Sequence, residues 1–406
     1  MAGLPLGTAA LLLRPTLRVG LPERLGRHPG ASVSGAVWVH GASVGEIGSA
    51  LGLMDALRAR GEPVVASTTT VTGRARVRSA RPDLPAGLAP LDHPWIAARV
   101  LRQVRPSALL LVETELWPAW IAAAHARGIP VLVVSGRISD RSLLRYRRLR
   151  LRRLLAPTLR RVSAVGARSA EDAARFVSLG MPKERIRVTG DLKLEPPAAS
   201  SPPSEELRQA LGTVPLLVAG STHPGEERAA LGALVAAERA GFGLALVVAP
   251  RRPERFEAVA ALLAASGRTV RRRSRLGGNP LRAGEVLLLD TLGELESIYG
   301  MARVAFVGGT LAPVGGHNLL EPVLRGKPVL FGPWTHNVRE AATLMSETGA
   351  GRYVEDAAAL GRATVATLCD TQVDHAVARV RSLLEEQRGA AQRVLALLDD
   401  VREGRV

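Results

Sequence analysis

The sequence predicts an α/β protein built from two similar β/α domains that face a central cleft. Three observations carry that expectation. Short, continuously apolar runs alternate with helical stretches along most of the chain. One Pro-, Ser- and Ala-rich stretch interrupts the alternation near its middle, and the same alternation then restarts. The length of 406 residues suits two cores better than one.

The first-half strand candidates are 36–40, 63–68, 108–112, 129–135, 162–167 and 185–190. They are apolar throughout rather than alternating, the mark of strands buried on both faces of a parallel sheet. Helical spacing fills the gaps, as in 97–105 and in "SAEDAARFVSLG" (169–180), which a Ser cap opens and a Gly closes. "EPPAASSPPSEE" (195–206) is the linker. Strand candidates resume at 215–221, 243–250, 285–290, 302–309 and 327–332. The expected divisions are a first domain over 1–194, the linker over 195–206, a second domain over 207–371 and an amphipathic helical tail over 372–406. Ligands of such folds bind outside the carboxyl ends of the strands, which directs attention to the loops that follow them.

Composition narrows the partners. With 54 basic and 37 acidic residues the net charge is +17, a field suited to nucleic acid, an anionic membrane surface or a phosphorylated substrate. Aromatic residues make up only 3% and do not interleave with the basic ones, which argues against nucleic acid. A single cysteine, Cys369, rules out a disulfide framework and a Cys-based zinc site. No H-E-x-x-H or D-x-D motif calls for a metal. The N-terminal run "LGTAALLL" (6–13) is short of the roughly 18 residues of a spanning helix. It reads either as part of a basic-apolar segment on a membrane surface or as a solvated terminus. The Arg/Leu-interleaved stretch 137–161 has two readings, a solvated helix or a dock for anionic lipid.

Four groups of residues carry chemistry. In "VWVHGASVGEIGSA" (37–50) a strand breaks at a turn and enters a helix. Gly41 to Gly45 fit G-x-S-x-G, the nucleophile elbow of α/β-hydrolases, but no upstream strand supplies the oxyanion loop those enzymes need. The other readings are a turn of small residues that lets a substrate approach beside Glu46, and Glu46 as a helix cap. "LLLVETELWPAW" (109–120) delivers Glu113 and Glu115 at the end of a buried strand, and alternation puts both on one face. "VTGDLKLE" (188–195) carries Lys193, one of three lysines in an arginine-rich chain, which hints at a point-charge role. In the second half, "AGSTHPGEE", "APRRPERF", "DTLGELESIYG" and "FVGGTLAPVGGHNLLEP" each follow a strand. Their glycines before helix starts suggest a phosphate cradle, and Glu321 a partner for ribose hydroxyls.

These motifs, in this order from about Arg24 to about Pro333, resemble those of the 3-deoxy-D-manno-octulosonic acid (Kdo) transferases of Gram-negative bacteria. The resemblance implies a GT-B fold of two Rossmann-like domains, the first binding the acceptor and the second the nucleotide-sugar. It implies an inverting glycosyltransferase that moves Kdo from CMP-Kdo to the lipid A precursor (lipid IVA) in lipopolysaccharide biosynthesis, without a metal or other cofactor. The site would be the cytoplasmic face of the inner membrane, with the protein peripheral or weakly anchored there. Carried over by position, the proton acceptor falls on Glu46 and the transition-state-stabilising residues on Glu115 and Lys193. The CMP contacts fall on Arg251 and Arg252, on Leu292, Gly293 and Glu294, and on Asn318, Leu319, Leu320 and Glu321. Two family patterns are altered: "NAR" is Ser135-Gly136-Arg137 here, and "GNLK" is Gly190-Asp191-Leu192-Lys193. The alternatives are another GT-B nucleotide-sugar transferase or epimerase, and a serine hydrolase using Ser43.

Overall fold

The computed structural model describes residues 19–139, 142–144, 146, 152–195, 202–277 and 279–406. Segment 1–18, residues 140–141, 145 and 147–151 of the arginine-rich stretch, linker residues 196–201 and residue 278 lie outside them. The chain divides into two compact units, one of residues 1–195 and 387–406, the other of 196–386.

The first unit holds a seven-stranded sheet in the order β3-β2-β1-β4-β5-β6-β7. Its strands are β1 (Val37–His40), β2 (Val64–Thr68), β3 (Ala86–Leu88), β4 (Ala108–Val112), β5 (Val131–Gly136), β6 (Ala164–Ala167) and β7 (Ile186–Val188). Every pairing is parallel, with β1 seated between β2 and β4 through Val39↔Ala66 and Val39↔Leu110. The two faces bury different residues of the same strands. Val37, Val39, Leu110, Val112, Leu132 and Val134 enter one core, while Trp38, Leu109, Leu111, Val131 and Val133 enter the other. Coverage on both sides is why these strands are apolar at every position.

The second unit repeats the plan as β10-β11-β9-β8-β12-β13-β14. It comprises β8 (Leu216–Thr222), β9 (Ala245–Pro250), β10 (Val270–Arg272), β11 (Val286–Leu288), β12 (Ala302–Val307), β13 (Val329–Phe331) and β14 (Gly351–Tyr353). The helices Glu226–Arg239 and Ala357–Cys369 cover one face, with Ala233, Leu234 and Leu360 fully buried.

The tail expected over 372–406 is divided. Helix Val373–Gln387 stays with the second unit, burying Val377, Val380 and Leu384. The chain turns at Gly389 (φ 79), and helix Ala390–Arg402 joins the first unit. There Val394, Leu395 and Leu398 share a core with Leu53, Met54 and Leu57. An apolar helix face must be covered, and the first sheet provides the cover.

Candidate active site

The strand order switches direction between β1 and β4 in the first sheet and between β8 and β12 in the second. Crevices at such switch points are where open α/β sheets place ligands. Three of the four non-glycine residues with positive φ among the described residues sit at strand ends here, Glu113 (φ 62), Ser135 (φ 52) and Ser221 (φ 55). Left-handed backbone at such residues costs on the order of 1–3 kcal/mol and clusters at functional sites.

In the first unit, the turn after β1 leads into helix Val44–Ser49, capped by Ser43, whose Oγ accepts from Glu46 N at 3.2 Å. Glu46 returns the bond. Its Oε1 accepts from Ser43 Oγ at 2.9 Å and its Oε2 from Ala42 N at 2.7 Å. This is a capping-box arrangement, and it commits the Ser43 hydroxyl to a carboxylate rather than to an imidazole. The hydroxyl both accepts from Glu46 N and donates to the Glu46 carboxylate, which is the bonding of a helix cap. The carboxylate of Glu46 rests at a helix N-terminus beside the exposed Gly45.

Strand β4 supplies the second part. Alternation was expected to put Glu113 and Glu115 on one face, but β4 ends at Val112 and Glu113 takes left-handed backbone, so the rule stops before it applies. Glu113 Oε1 lies 2.6 Å from Lys193 Nζ. Burial pushes the Glu113 carboxyl up, Lys193 pulls it back, and the charges of Glu46 and Asp191 push it up further. These four residues therefore share one electrostatic neighbourhood. Glu115 turns instead to Trp117, whose Nε1 donates to Oε2 at 2.8 Å, and to His40, whose Nε2 lies at 3.7 Å. His40 is fully buried, with Nδ1 against Ser67 Oγ at 2.9 Å, and that hydroxyl also accepts from Trp38 Nε1.

Lys193 is aimed by the turn Gly190–Lys193. Asp191, 5% exposed, accepts from Lys193 N at 2.9 Å and from Ser135 Oγ at 3.3 Å, and Arg168 lies 3.5 Å from its other oxygen. Two of the three positions that depart from the family patterns, Ser135 and Asp191, are thus bonded to each other.

In the second unit the expected phosphate cradle is already filled. Glu226, 2% exposed, accepts from the backbone N–H groups of His223, Gly309, Thr310, Leu311 and Ala312 at 2.8–3.2 Å. Gly315 and Gly316 spend their N–H groups on Gly309 O. A protein carboxylate, not a phosphate, organises this glycine loop.

Around it lie the other strand-end residues. Arg251 and Arg252 are exposed after β9. Leu292, 71% exposed, and Gly293 (φ 86) form the turn after β11, while Glu294 binds Arg273 and Thr291. Asn318 Nδ2 donates to Glu321 Oε1 at 3.2 Å. Burial pushes the Glu321 carboxyl up, against the Asn318 bond and Arg251. Leu319 and Leu320 are buried side chains, so only their backbone is available to a ligand.

Comparison with known proteins decides the family. The 3-deoxy-D-manno-octulosonic-acid transferase (kdotransferase) family model matches residues 19–195. A 3-deoxy-D-manno-octulosonic acid transferase of Bordetella pertussis is 36% identical, over 93% of this chain and 91% of its own length. The chain belongs to the Kdo transferase family. A Haemophilus influenzae member is 34% identical, over 97% of this chain and 93% of its own. The crystal structure of Acinetobacter baumannii MurG is 16% identical, covers 90% of this chain and 99% of that one, and gives a TM-score of 0.50. That likeness speaks for the fold. This Kdo transferase is a glycosyltransferase of the GT-B class.

Sequence reading of this transferase singled out Glu46, Glu115 and Lys193. The structure brings Glu46 and Lys193 together and turns Glu115 toward His40. The partner it missed is Glu113, quoted in the same motif but not assigned to Lys193. Asp191 and Glu226 were also missed, since their roles rest on bonds across turns. Among the described residues no helix is long and apolar enough to cross a membrane, and no group of three or more His, Cys, Asp or Glu gathers to hold a metal.

Proposed function

We propose that this transferase moves Kdo from CMP-Kdo to a hydroxyl of the lipid A precursor by a single displacement that inverts the anomeric carbon. The observation that carries the reading is Glu46, held at a helix start beside exposed Gly45, in one neighbourhood with Glu113 and Lys193. Glu46 exchanges the Ser43 hydroxyl for that of the acceptor and takes its proton. The acceptor oxygen then forms its bond to the anomeric carbon while the bond to the CMP phosphate breaks, and CMP leaves with the electron pair. General-base help of this kind is worth about 10²–10⁴ in rate. In the second unit Arg251 and Arg252 meet the phosphate, the exposed Leu292 packs on the base, and Asn318 with Glu321 takes the ribose. Arginines supply the countercharge, so no metal is required. Action at the inner face of the cytoplasmic membrane, on an anionic surface, fits the basic charge and the lipid acceptor.

The test is transfer from CMP-Kdo to tetra-acylated lipid A precursor in the presence of EDTA, with products resolved by mass. Wild type and Ser43→Ala form product, the variant within about tenfold, because only a cap is lost. Glu46→Gln loses at least about 10² in rate. Near-normal rates for Glu46→Gln remove the base assignment, and loss of product in EDTA removes metal independence.

A further inference from the structure

The loops after β8 and β12 bring together two histidines that the proposed mechanism leaves without a task. His223 follows β8 directly, and His317 follows the glycine loop after β12. Their rings are nearly parallel, with centroids 5.1 Å apart and planes 9° apart, and their Nε2 atoms are 2.9 Å apart. That distance is a hydrogen bond, so one Nε2 carries a proton and the other accepts it. Gly309 makes room for the pair. A Cβ there would lie 2.9 Å from His317 Cδ2 and 3.0 Å from its Nε2, and its φ of 69 already favours glycine.

Proton bookkeeping limits what the pair can hold. Two neutral imidazoles with a shared Nε2–H have one bare Nδ1. A single added proton fits there and leaves the shared bond intact, now charge-assisted and stronger. A second added proton would place a hydrogen on both Nε2 atoms and break it. The pair is a sink for one proton.

Its surroundings keep that proton away. Arg255 and Arg252 oppose charge on His223, with Glu226 and Glu227 favouring it, and Arg251 opposes charge on His317. The two carboxylates are largely committed, Glu226 to five backbone N–H groups and Glu227 to Thr222 and Arg255. Burial lowers both histidines, His317 to about 4. Burial is the larger part of that barrier, and a phosphate against exposed Arg251 and Arg252 would cancel the arginine part.

We propose that His223 and His317 form a proton-accepting subsite for the donor's phosphate, taking up one proton when that phosphate docks beside Arg251. The inference rests on the donor reading above and adds residues to it. The pair then supplies positive charge at the leaving group as CMP departs.

The experiment is calorimetric titration of the full-length protein with CMP at several pH values, in buffers of different ionisation heat. Proton uptake by the nucleotide itself is common to all variants, so the difference between proteins reports the pair. Wild type is expected to take up as much as about one proton more than His223→Gln or His317→Gln, and its affinity to rise by as much as about tenfold per pH unit of acidification. Histidine ¹⁵N spectra of wild type give a reading that needs no variant. Added CMP should protonate the bare Nδ1 while the shared Nε2 proton persists. Equal uptake in all three proteins, or an unchanged Nδ1 signal with CMP bound, overturns the inference alone. Absence of CMP binding at every pH overturns the donor reading and this inference with it.

Discussion

Lys193 Nζ and Glu113 Oε1 are 2.6 Å apart, and the pair joins the loop after β4 to the turn after β7. Both side chains are mostly buried, at 14% and 18% exposure. Burial raises the Glu113 carboxyl and Lys193 opposes that rise. The lysine therefore opposes protonation of a carboxylate next to Glu46.

Removing that lysine should move the pH profile. In Lys193→Gln the Glu113 carboxyl stays protonated to higher pH, so the acid limb of transfer moves toward neutrality. Loss of the ammonium also costs about 10²–10³ in kcat, the range for one preorganised electrostatic group. Lys193→Arg should recover little, because a planar fork does not replace a compact ammonium. Initial rates across pH for the three proteins check this. An unmoved acid limb in Lys193→Gln removes Glu113 as a controlling group.

Gly45 is expected to separate stability from function. It is helical, exposed and lacks positive φ, and a Cβ there would meet nothing closer than Lys193 Nζ and Ser43 Oγ at 3.9 Å. Gly45→Ala should therefore stabilise the fold by about 0.5–1 kcal/mol. Its methyl would fill space the acceptor needs, so kcat/KM should fall. Gly48→Ala, in the same helix and in open space, is the control, with similar stabilisation and unchanged activity. Thermal melts and transfer rates decide it. Full activity in Gly45→Ala would show that the glycine is not clearing a path.

Much of this was readable from the residues, and the failures have a common cause. The eleven strand candidates correspond to eleven of the fourteen strands, whose apolar runs the two-sided cores explain. The three that escaped, β3, β10 and β14, have three residues each and stand at sheet edges. Their residues, Ala-Gly-Leu, Val-Arg-Arg and Gly-Arg-Tyr, form no apolar run, unlike those of the equally short β11 and β13, and an edge needs less apolar cover. At the site, position along the chain was legible and partnership was not. "VETE" announced two carboxylates, but a single left-handed residue decided which of them meets Lys193. The glycine loop looked like an anion cradle because it is one, already occupied by Glu226. A bond spanning more than eighty residues leaves no local signal.

The last helix is expected to be indispensable to the first unit. Leu398 is fully exposed to the core and not to water, in one cluster with Leu53, Met54 and Leu57. Leu398→Ala should cost about 2–5 kcal/mol. Arg402→Ala, which removes a surface pair with Glu62, should cost no more than about 1 kcal/mol. Urea titrations of the two variants against wild type measure both. Equal, small losses would show that the helix adds little to that core.

Acid should weaken the first unit through His28. This side chain is 3% exposed, its Nδ1 accepts from Gly30 N at 3.0 Å, and its ring packs against Trp38 at 5.3 Å. Burial pulls its pKa from 6.5 down to about 4. The folded state therefore favours the neutral ring, so its contribution is present above the unfolded value of 6.5. It is lost as pH falls through the folded value of about 4. A difference of this size corresponds to a loss on the order of 3 kcal/mol. His28→Asn keeps an acceptor for Gly30 N–H and removes the titration. It should be less stable than wild type at pH 7, because the ring packing is gone, yet lose less on acidification. Urea unfolding at pH 7 and pH 4.5 measures both quantities. If the variant and wild type lose stability equally between those pH values, His28 is not the acid-sensitive group.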